Sequence, residues 1–175
     1  MARRRLLTVA ATGLAAGVLG GSYGARELLH RQAAAARRLI GKPLGEDAPY
    51  ADRVWKASHG DPLDLLLLGD SIAAGLGAER RKDTLGGRLS KGLAKRTGRA
   101  VRLRTAAVVG SESSELAAQL ASLEPGYAPD LAVIVVGGND VTHRVPLAES
   151  VAHLEAAIGD LRARGTEVVV GTCPD

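Results

Sequence analysis

The chain contains 175 residues, of which 46% are hydrophobic and 24% charged, with one Cys, one Trp, three Tyr and no Phe. This length accommodates one α/β domain and a short additional segment, and it excludes two full-sized domains. The single Cys excludes an intramolecular disulfide and a Cys-based zinc site, and an aromatic fraction of 2% excludes a base-stacking platform for nucleic acid.

The net charge of +4 is unevenly distributed along the chain. Residues 1–45 carry eight basic residues and one acidic residue, for a net charge of +7. Residues 46–175 carry fifteen basic and eighteen acidic residues, for a net charge of −3. The basic character of the chain is therefore due to its N-terminal tail. The remainder is mildly acidic, which does not favour a nucleic-acid partner.

The first 24 residues have the order of an export signal or an N-terminal membrane anchor. Three arginines, Arg3 to Arg5, precede a run of 19 uncharged residues, Leu6–Gly24. A positive segment before an apolar one is typical of signal peptides, and a run of this length just suffices to span a bilayer. We therefore expect an extracytoplasmic protein of the cell envelope, secreted or membrane-anchored; a soluble N-terminal helix is the alternative.

Residues 25–59 are predicted to form a basic helical spacer followed by a linker. Basic residues from Arg26 to Lys42 alternate with apolar ones, and Pro43, Gly45 and Pro49 then interrupt the helix. Such a helix either lies against anionic lipid headgroups, giving membrane contact through residues 1–42, or is a solvated spacer. The globular domain is expected over residues 60–175.

Within this domain, apolar strands alternate with amphipathic helices. Apolar runs predict strands at residues 65–68, 101–109, 131–136 and 168–170. Apolar residues at helical spacing predict helices over residues 84–97, from an N-cap at Ser113 or Ser114 to Leu123, and over residues 151–161. The predicted fold is α/β, a three-layer α/β/α sandwich with a flavodoxin-like parallel sheet. Because the sequence ends directly after the fourth strand, we expect the C-terminal part of this fold to lie beyond residue 175.

Glycines and polar residues follow three of the predicted strands, where ligands bind in open α/β sheets. Ser71 follows the first strand, Gly110 the second, and Asn139 the third, within Gly137-Gly138-Asn139-Asp140. Acyl transfer needs a nucleophile and two or three hydrogen-bond donors for the oxyanion. The hydroxyl of Ser71, the N–H groups of Ser71 and Gly110 and the amide of Asn139 are candidates for these roles.

These segments resemble sequence blocks of the SGNH/GDSL family of esterases, lipases and acyl hydrolases. Residues 65–71, Leu-Leu-Leu-Leu-Gly-Asp-Ser, are similar to its first block, Gly110 to the glycine of its second, and residues 137–140 to its Gly-x-Asn-Asp. The resemblance covers residues 60–175 and, more loosely, points to an exported or membrane-anchored actinobacterial branch. It implies the SGNH hydrolase fold, Ser71 as nucleophile, Gly110 and Asn139 as oxyanion donors, and Asp70 and Asp140 as supporting residues.

The sequence departs from this family in two places. Thr105 stands where the second block usually has an Asn, and the family's C-terminal Asp-x-x-His, which supplies the base, has no counterpart after residue 145. Asp140-Val141-Thr142-His143 has that spacing but belongs to the third block, so we expect no catalytic role for His143. The base is expected beyond residue 175, and without it Ser71 is poorly activated.

The sequence therefore predicts a serine hydrolase that cleaves a carboxylic ester or acetyl group in a small ester, an acylated sugar or a lipid, with little activity in this chain. No cofactor and no metal are expected. The first alternative is a non-catalytic α/β binding module at the cell envelope, and the second is a flavodoxin-like nucleotide binder.

Other candidate residues are predicted to have no catalytic role, namely His30, His59, His153 and Cys173. The Gly75-x-Gly77 segment lacks the lysine and the spacing of a phosphate-binding loop. Arg80, Arg81 and Lys82 are predicted to form a solvated face; the alternative is that they border the site and attract an acidic substrate.

Overall fold

The computed structural model of the protein describes residues 27–29, 31–32 and 48–171. The chain divides into two units, Met1–Pro43 and Leu44–Asp175. In the first unit, residues 27–29 and 31–32 are helical, and Nε of Arg31 donates a 2.9 Å hydrogen bond to Glu27. The predicted signal or anchor over residues 1–24 lies outside the described residues and stays a prediction. Among the residues that are described, no helix has both the length and the apolar character needed to cross a membrane.

The second unit contains a five-stranded sheet flanked by helices. The strands are β1 (Val54–Trp55), β2 (Pro62–Gly69), β3 (Ala100–Thr105), β4 (Leu131–Val135) and β5 (Glu167–Gly171). The α-helices are α1 (Ser71–Ala74), α2 (Leu85–Thr97), α3 (Leu116–Ala121), α4 (Gly138–His143) and α5 (Leu147–Ala163), and 3-10 helices lie at Ala57–His59 and Ser113–Glu115. The strand order is β1-β3-β2-β4-β5; β1 pairs antiparallel with β3, and all other pairs are parallel.

Strand β2 lies at the centre of the sheet and contributes side chains to two separate apolar clusters. Leu66 and Leu68 pack in one cluster with leucines and alanines of α3 and α5. Leu65 and Leu67 point to the opposite face and pack with Ala94 of α2. Because successive side chains of a strand alternate between faces, a wholly apolar strand must be covered on both sides. The predicted three-layer α/β/α arrangement is confirmed, with one antiparallel edge strand added to the parallel sheet.

Helix α2 begins and ends close to the predicted positions. Its N-cap is Thr84, whose hydroxyl oxygen accepts a 3.0 Å hydrogen bond from the N–H of Gly87. Its last residue is Thr97, and Gly98 follows in the left-handed conformation with φ of 69°. The N-cap satisfies one of the backbone donors that every helix start leaves without an intrahelical acceptor.

Three local predictions differ from the structure. Strand β3 ends at Thr105 and not at Val109: its last ladder pair with β2 is Thr105 with Leu67, and the chain then continues as a loop beside the end of β2. The 3-10 helix that precedes α3 is not capped by Ser113 or Ser114: the Ser113 hydroxyl donates to Asp140 instead. Residues 51–55, assigned from sequence to the linker, include the core residue Ala51 and the two residues of β1, Val54–Trp55.

Candidate functional site

The strand order places the candidate residues at one edge of the sheet. From β2 the chain forms β3 on one side and then crosses to β4 on the other side of β2. Ser71, Gly110 and Asn139 follow the carboxyl ends of these three adjacent strands. In open α/β sheets, the crevice where the strand order reverses is the usual ligand site.

A tight turn at the end of β2 positions Ser71. Gly69 has φ of 126°, and a Cβ on this residue would lie 1.8 Å from the carbonyl oxygen of Val135 in the neighbouring strand. Only glycine fits there. The buried Asp70 then caps α1: its carboxylate accepts a 2.9 Å hydrogen bond from the N–H of Ile72, and its own N–H donates to Val135 at 2.9 Å. Ser71 is the first residue of α1 and is half-buried.

The loop after β3 carries Gly110, which is exposed at the carboxyl end of the sheet. The N–H of Val108 donates to the carbonyl oxygen of Gly69 at 3.1 Å, which keeps the loop beside the end of β2. Gly110 is exposed, with φ of 88°, and Ser111 after it is buried. The positive φ suits glycine and turns the chain back toward the 3-10 helix.

Asn139 lies in the first turn of α4 and contacts this loop. Its Nδ2 donates a 2.8 Å hydrogen bond to the carbonyl oxygen of Ser111, the residue after Gly110. A primary amide has two N–H groups, so this bond leaves a second donor on the same nitrogen. Gly138 lies beside Asp70: a Cβ on Gly138 would be 3.8 Å from Oδ2 of that carboxylate. The third strand-end segment thus contacts both of the others.

Gln119 joins two of these segments and was missed by the sequence analysis. Its Oε1 accepts a 2.8 Å hydrogen bond from the N–H of Gly69, and its Nε2 donates to the carbonyl oxygen of Gly69 at 2.8 Å and to Oγ of Ser111 at 3.2 Å. The side chain is buried. A signal was present, because Gln119 lies on the same stripe of α3 as the core residues Leu116 and Leu120. A polar residue on a buried stripe needs hydrogen-bond partners.

Asp140 ties the site to the helices behind it. Its buried carboxylate accepts hydrogen bonds from the N–H and hydroxyl of Ser113 and, at 2.8 Å, from the hydroxyl of Ser150 in α5. Burial alone would raise the pKa of this carboxyl, but the hydrogen bonds from Ser113 and Ser150 stabilise the anion, and the net effect is a pKa below the usual value. Asp140 is therefore an ionised anchor for the helix that carries Asn139.

None of the described histidines is hydrogen-bonded to Ser111, Ser113 or Asp140, but His143 pairs with Glu112, which lies between these two serines. Nδ1 of His143 is 2.6 Å from a carboxylate oxygen of Glu112, and its side chain is 57% exposed. Asp140, three residues earlier, is bonded to serines and does not orient this imidazole. His59 and His153 are exposed, whereas His30 and Cys173 lie outside the described residues.

In the described part of the chain, no three acidic, His or Cys side chains are placed to hold a metal ion together.

Thr105, which replaces the Asn expected from the family, has a partner of its own. Its N–H and hydroxyl donate to the two carboxylate oxygens of Asp52 at 2.9 and 2.7 Å. Asp52 belongs to the segment before β1. The end of β3 is therefore held by the N-terminal part of this unit, a contact between residues 53 positions apart that no local pattern predicts.

Comparisons with known proteins show the family of the chain and support its fold. Residues 67–175 match the model of the GDSL-like lipase/acylhydrolase family. The whole chain aligns at 38% identity with 59% of the GDSL-like esterase Rv1075c of Mycobacterium tuberculosis, so it spans about three fifths of the length of that relative. Among solved structures, it resembles the SGNH-hydrolase family esterase AlinE4 (25% identity, TM-score 0.55, 63% of this chain and 59% of that one) and TesA (33% identity, TM-score 0.51, 61% and 58%).

Proposed function

Because the chain belongs to the GDSL-like lipase/acylhydrolase family, we propose that it is an ester hydrolase with Ser71 as its nucleophile. The substrate class is a carboxylic ester or acetyl group, carried by a small ester, an acylated sugar or a lipid. The esterase names of the Mycobacterium tuberculosis relative and of AlinE4 support an ester substrate.

In the proposed reaction, Oγ of Ser71 attacks the carbonyl carbon of the ester while its proton passes to a general base. The carbonyl oxygen becomes an oxyanion that accepts hydrogen bonds from the N–H groups of Ser71 and Gly110 and from the second N–H of Asn139. The N–H of Ser71 suits this role because the first residue of a helix has no intrahelical acceptor. Collapse of the intermediate breaks the bond between the carbonyl carbon and the alcohol oxygen, which takes up the proton held by the base. Water then hydrolyses the acyl-serine, which releases the carboxylic acid and restores the hydroxyl of Ser71.

The observation that carries this proposal is the hydrogen bonding between the three strand-end segments. Gln119 fixes Gly69 and Ser111 together, and Asn139 bonds to the carbonyl of Ser111. Oxyanion stabilisation depends on donors that are held in place before the reaction, and buried bonds to rigid elements provide this. A non-catalytic α/β binding module would not need a buried polar side chain on α3 to fix these backbone groups.

We propose that the 175-residue chain turns esters over slowly, because the Asp and the His of its Asp-x-x-His do not pair with each other. The sequence contains a single Asp-x-x-His, residues 140–143. Its Asp is engaged by two serines, and its His pairs with Glu112 at an exposed position. Nucleophile activation normally needs a base within hydrogen-bond reach that is itself held by a third group.

The test is the hydrolysis of p-nitrophenyl acetate by the 175-residue chain and three variants. We expect slow hydrolysis by the parent, loss of all protein-dependent hydrolysis in Ser71→Ala, and a rate within twofold of the parent in His143→Ala. Ser114→Ala, at an exposed serine of the 3-10 helix, is the matched control and should keep the parent rate. Fast turnover that His143→Ala abolishes would make the Glu112–His143 pair the base. A rate that Ser71→Ala leaves unchanged would contradict the hydrolase and support a binding module.

A further inference from the structure

A cavity of about 640 Å³ lies beside the edge strand β1, between this strand and the turn that precedes α2. We call it the β1 groove. Its wall includes Tyr50, Arg53 and Trp55 from the β1 segment and Glu79, Arg80, Arg81 and Lys82 from the turn. These residues are far apart in sequence, and the fold brings them to one surface.

The β1 groove is strongly positive although the unit around it is mildly acidic. Four basic side chains and one acidic side chain line it, for a net charge of +3. Nε of Arg80 is 2.7 Å from the carboxylate of Asp83, so this arginine already has a partner. Among residues 48–171, Arg53, Arg81 and Lys82 form no ion pair. Three cations that converge on one cavity favour an anionic ligand.

The groove also holds two of the four aromatic residues of the chain. Trp55 is half-buried, and its ring nitrogen donates a 3.1 Å hydrogen bond to the carbonyl oxygen of Ala51, which fixes the ring. The guanidinium carbon of Arg53 lies 5.8 Å from the centre of this ring, within cation–π range. Tyr50 is 78% exposed. Fixed aromatic rings at a surface provide contact area for an apolar part of a ligand.

A second, smaller cavity extends from the β1 groove toward the candidate active site. It has a volume of about 200 Å³, shares Pro49 and Tyr50 with the groove, and is also lined by Ala73, Ala74 and Ala107. The first two alanines belong to α1, which begins at Ser71, and Ala107 belongs to the loop that leads to Gly110. The wall of this second cavity therefore includes both elements that present the proposed nucleophile and oxyanion donor.

We propose that the β1 groove binds the anionic part of the ester substrate, a phosphate or carboxylate joined to an apolar body. Arg53, Arg81 and Lys82 bind the anionic group, and Trp55 and Tyr50 contact the apolar part. This assignment rests on the proposed hydrolase function, because it places the ester of the same ligand near Ser71. It gives Arg81 and Lys82 a recognition role, the alternative that the sequence left open for this basic turn.

The fluorescence of Trp55 reports on this groove without any need for hydrolysis, because Trp55 is the only tryptophan of the chain. Three probes separate the contributions: hexyl phosphate has both an anionic group and an apolar chain, hexanol has only the chain, and inorganic phosphate has only the anion. We expect saturable binding of hexyl phosphate, at least tenfold tighter than either of the other two. Ser71→Ala should bind hexyl phosphate as the parent does, so a failure of the groove and a failure of the nucleophile are distinguishable.

The decisive comparison uses two double variants with equal loss of charge. Arg81→Gln/Lys82→Gln should weaken hexyl phosphate binding at least fivefold. Lys95→Gln/Arg96→Gln changes exposed positions in the last turn of α2, about 15 Å from the start of this helix. This variant should bind hexyl phosphate as the parent does. Both variants should melt near the parent temperature. Equal weakening in the two variants, equal binding of hexanol or of inorganic phosphate, or no change in Trp55 fluorescence would each overturn the proposal.

Discussion

The two faces of the sheet are built on different principles. The face under α3 and α5 contains buried polar groups whose partners are other buried groups, as with Gln119 and Asp140. The face under α2 and β1 has an apolar core with the buried hydroxyls of Thr84 and Ser90 on α2, and its charged groups are exposed, as at Arg53 and Lys82. Elements from both faces of the sheet lie close to the carboxyl ends of β2, β3 and β4.

This difference separates two tasks that an active site must perform. Buried and satisfied hydrogen bonds hold backbone groups in one geometry, which oxyanion stabilisation requires. Exposed cations have little effect on stability and are able to reorient around a charged ligand. We infer that the α3/α5 face positions the reacting groups and that the α2/β1 face recognises the substrate. Matched substitutions on the two faces test this division.

The largest effect is expected for Gln119→Leu, which keeps the size of the side chain but removes its hydrogen bonds. The buried N–H of Gly69 then has no acceptor, and we expect a loss of about 3 kcal/mol in the free energy of unfolding. Thr105→Val is the counterpart on the other face. It removes the 2.7 Å bond to the half-buried Asp52 but keeps the 2.9 Å bond from the backbone N–H, and it should cost about 1.5 kcal/mol. Urea denaturation of both variants measures this difference; equal costs would contradict the division between the faces.

A smaller effect, of about 2 kcal/mol, is expected for Asp140→Asn, because the anion that accepts bonds from Ser113 and Ser150 is lost. The pKa of Asp140 is lowered in the folded protein, so its contribution is present above the ordinary carboxyl value of 3.8 and disappears as the pH falls through the folded-state pKa. The difference in unfolding free energy between parent and variant should therefore shrink in acid.

Asp83→Asn is the matched change on the α2/β1 face. Asp83 also has a lowered pKa, chiefly because Arg80 donates a hydrogen bond to it, but this pair lies at the surface. Solvent screens such pairs, so we expect a much smaller change in stability at neutral pH than for Asp140→Asn. Measurements of unfolding at pH 7 and pH 3 for both variants decide the point. A flat pH response for Asp140 would remove its role as an ionised anchor.

The sequence predicted those parts of the fold and site that depend on local patterns. Apolar runs located β2, β4 and β5, and apolar residues at helical spacing located α2, because each of these patterns is encoded within a single segment of the chain. The partners of Ser113, Thr105 and Gln119 were not predicted. Each of these side chains bonds to a group from another element, so its partner depends on how the elements pack. Edge strand β1 was missed for another reason: it has only two residues, which are too few to show a periodic pattern.

The smallest effect concerns a tyrosine on each face. The hydroxyl of Tyr127 is buried and has no hydrogen-bond partner in the described part of the chain, and burial raises its pKa to about 12. Tyr127→Phe removes this hydroxyl and keeps the ring beside Arg104, whose guanidinium carbon is 5.2 Å from the ring centre. We expect the variant to be more stable by up to about 1 kcal/mol at pH 7. Tyr50→Phe, at a 78% exposed position, should leave stability unchanged.

The two tyrosine variants also differ in alkali. With a folded-state pKa of about 12 and an ordinary value of 10.0, Tyr127 keeps its proton in the folded chain over a range in which the unfolded chain loses it. The parent therefore loses stability as the pH rises from about 10 to about 12, and Tyr127→Phe should lose less over this range. Tyr50→Phe should follow the parent. Thermal melts at pH 8 and pH 10.5 measure both effects. Equal losses of stability between these pH values in the two variants would show that the Tyr127 hydroxyl reaches solvent. That result would weaken the contrast between a buried, ordered face and an exposed one.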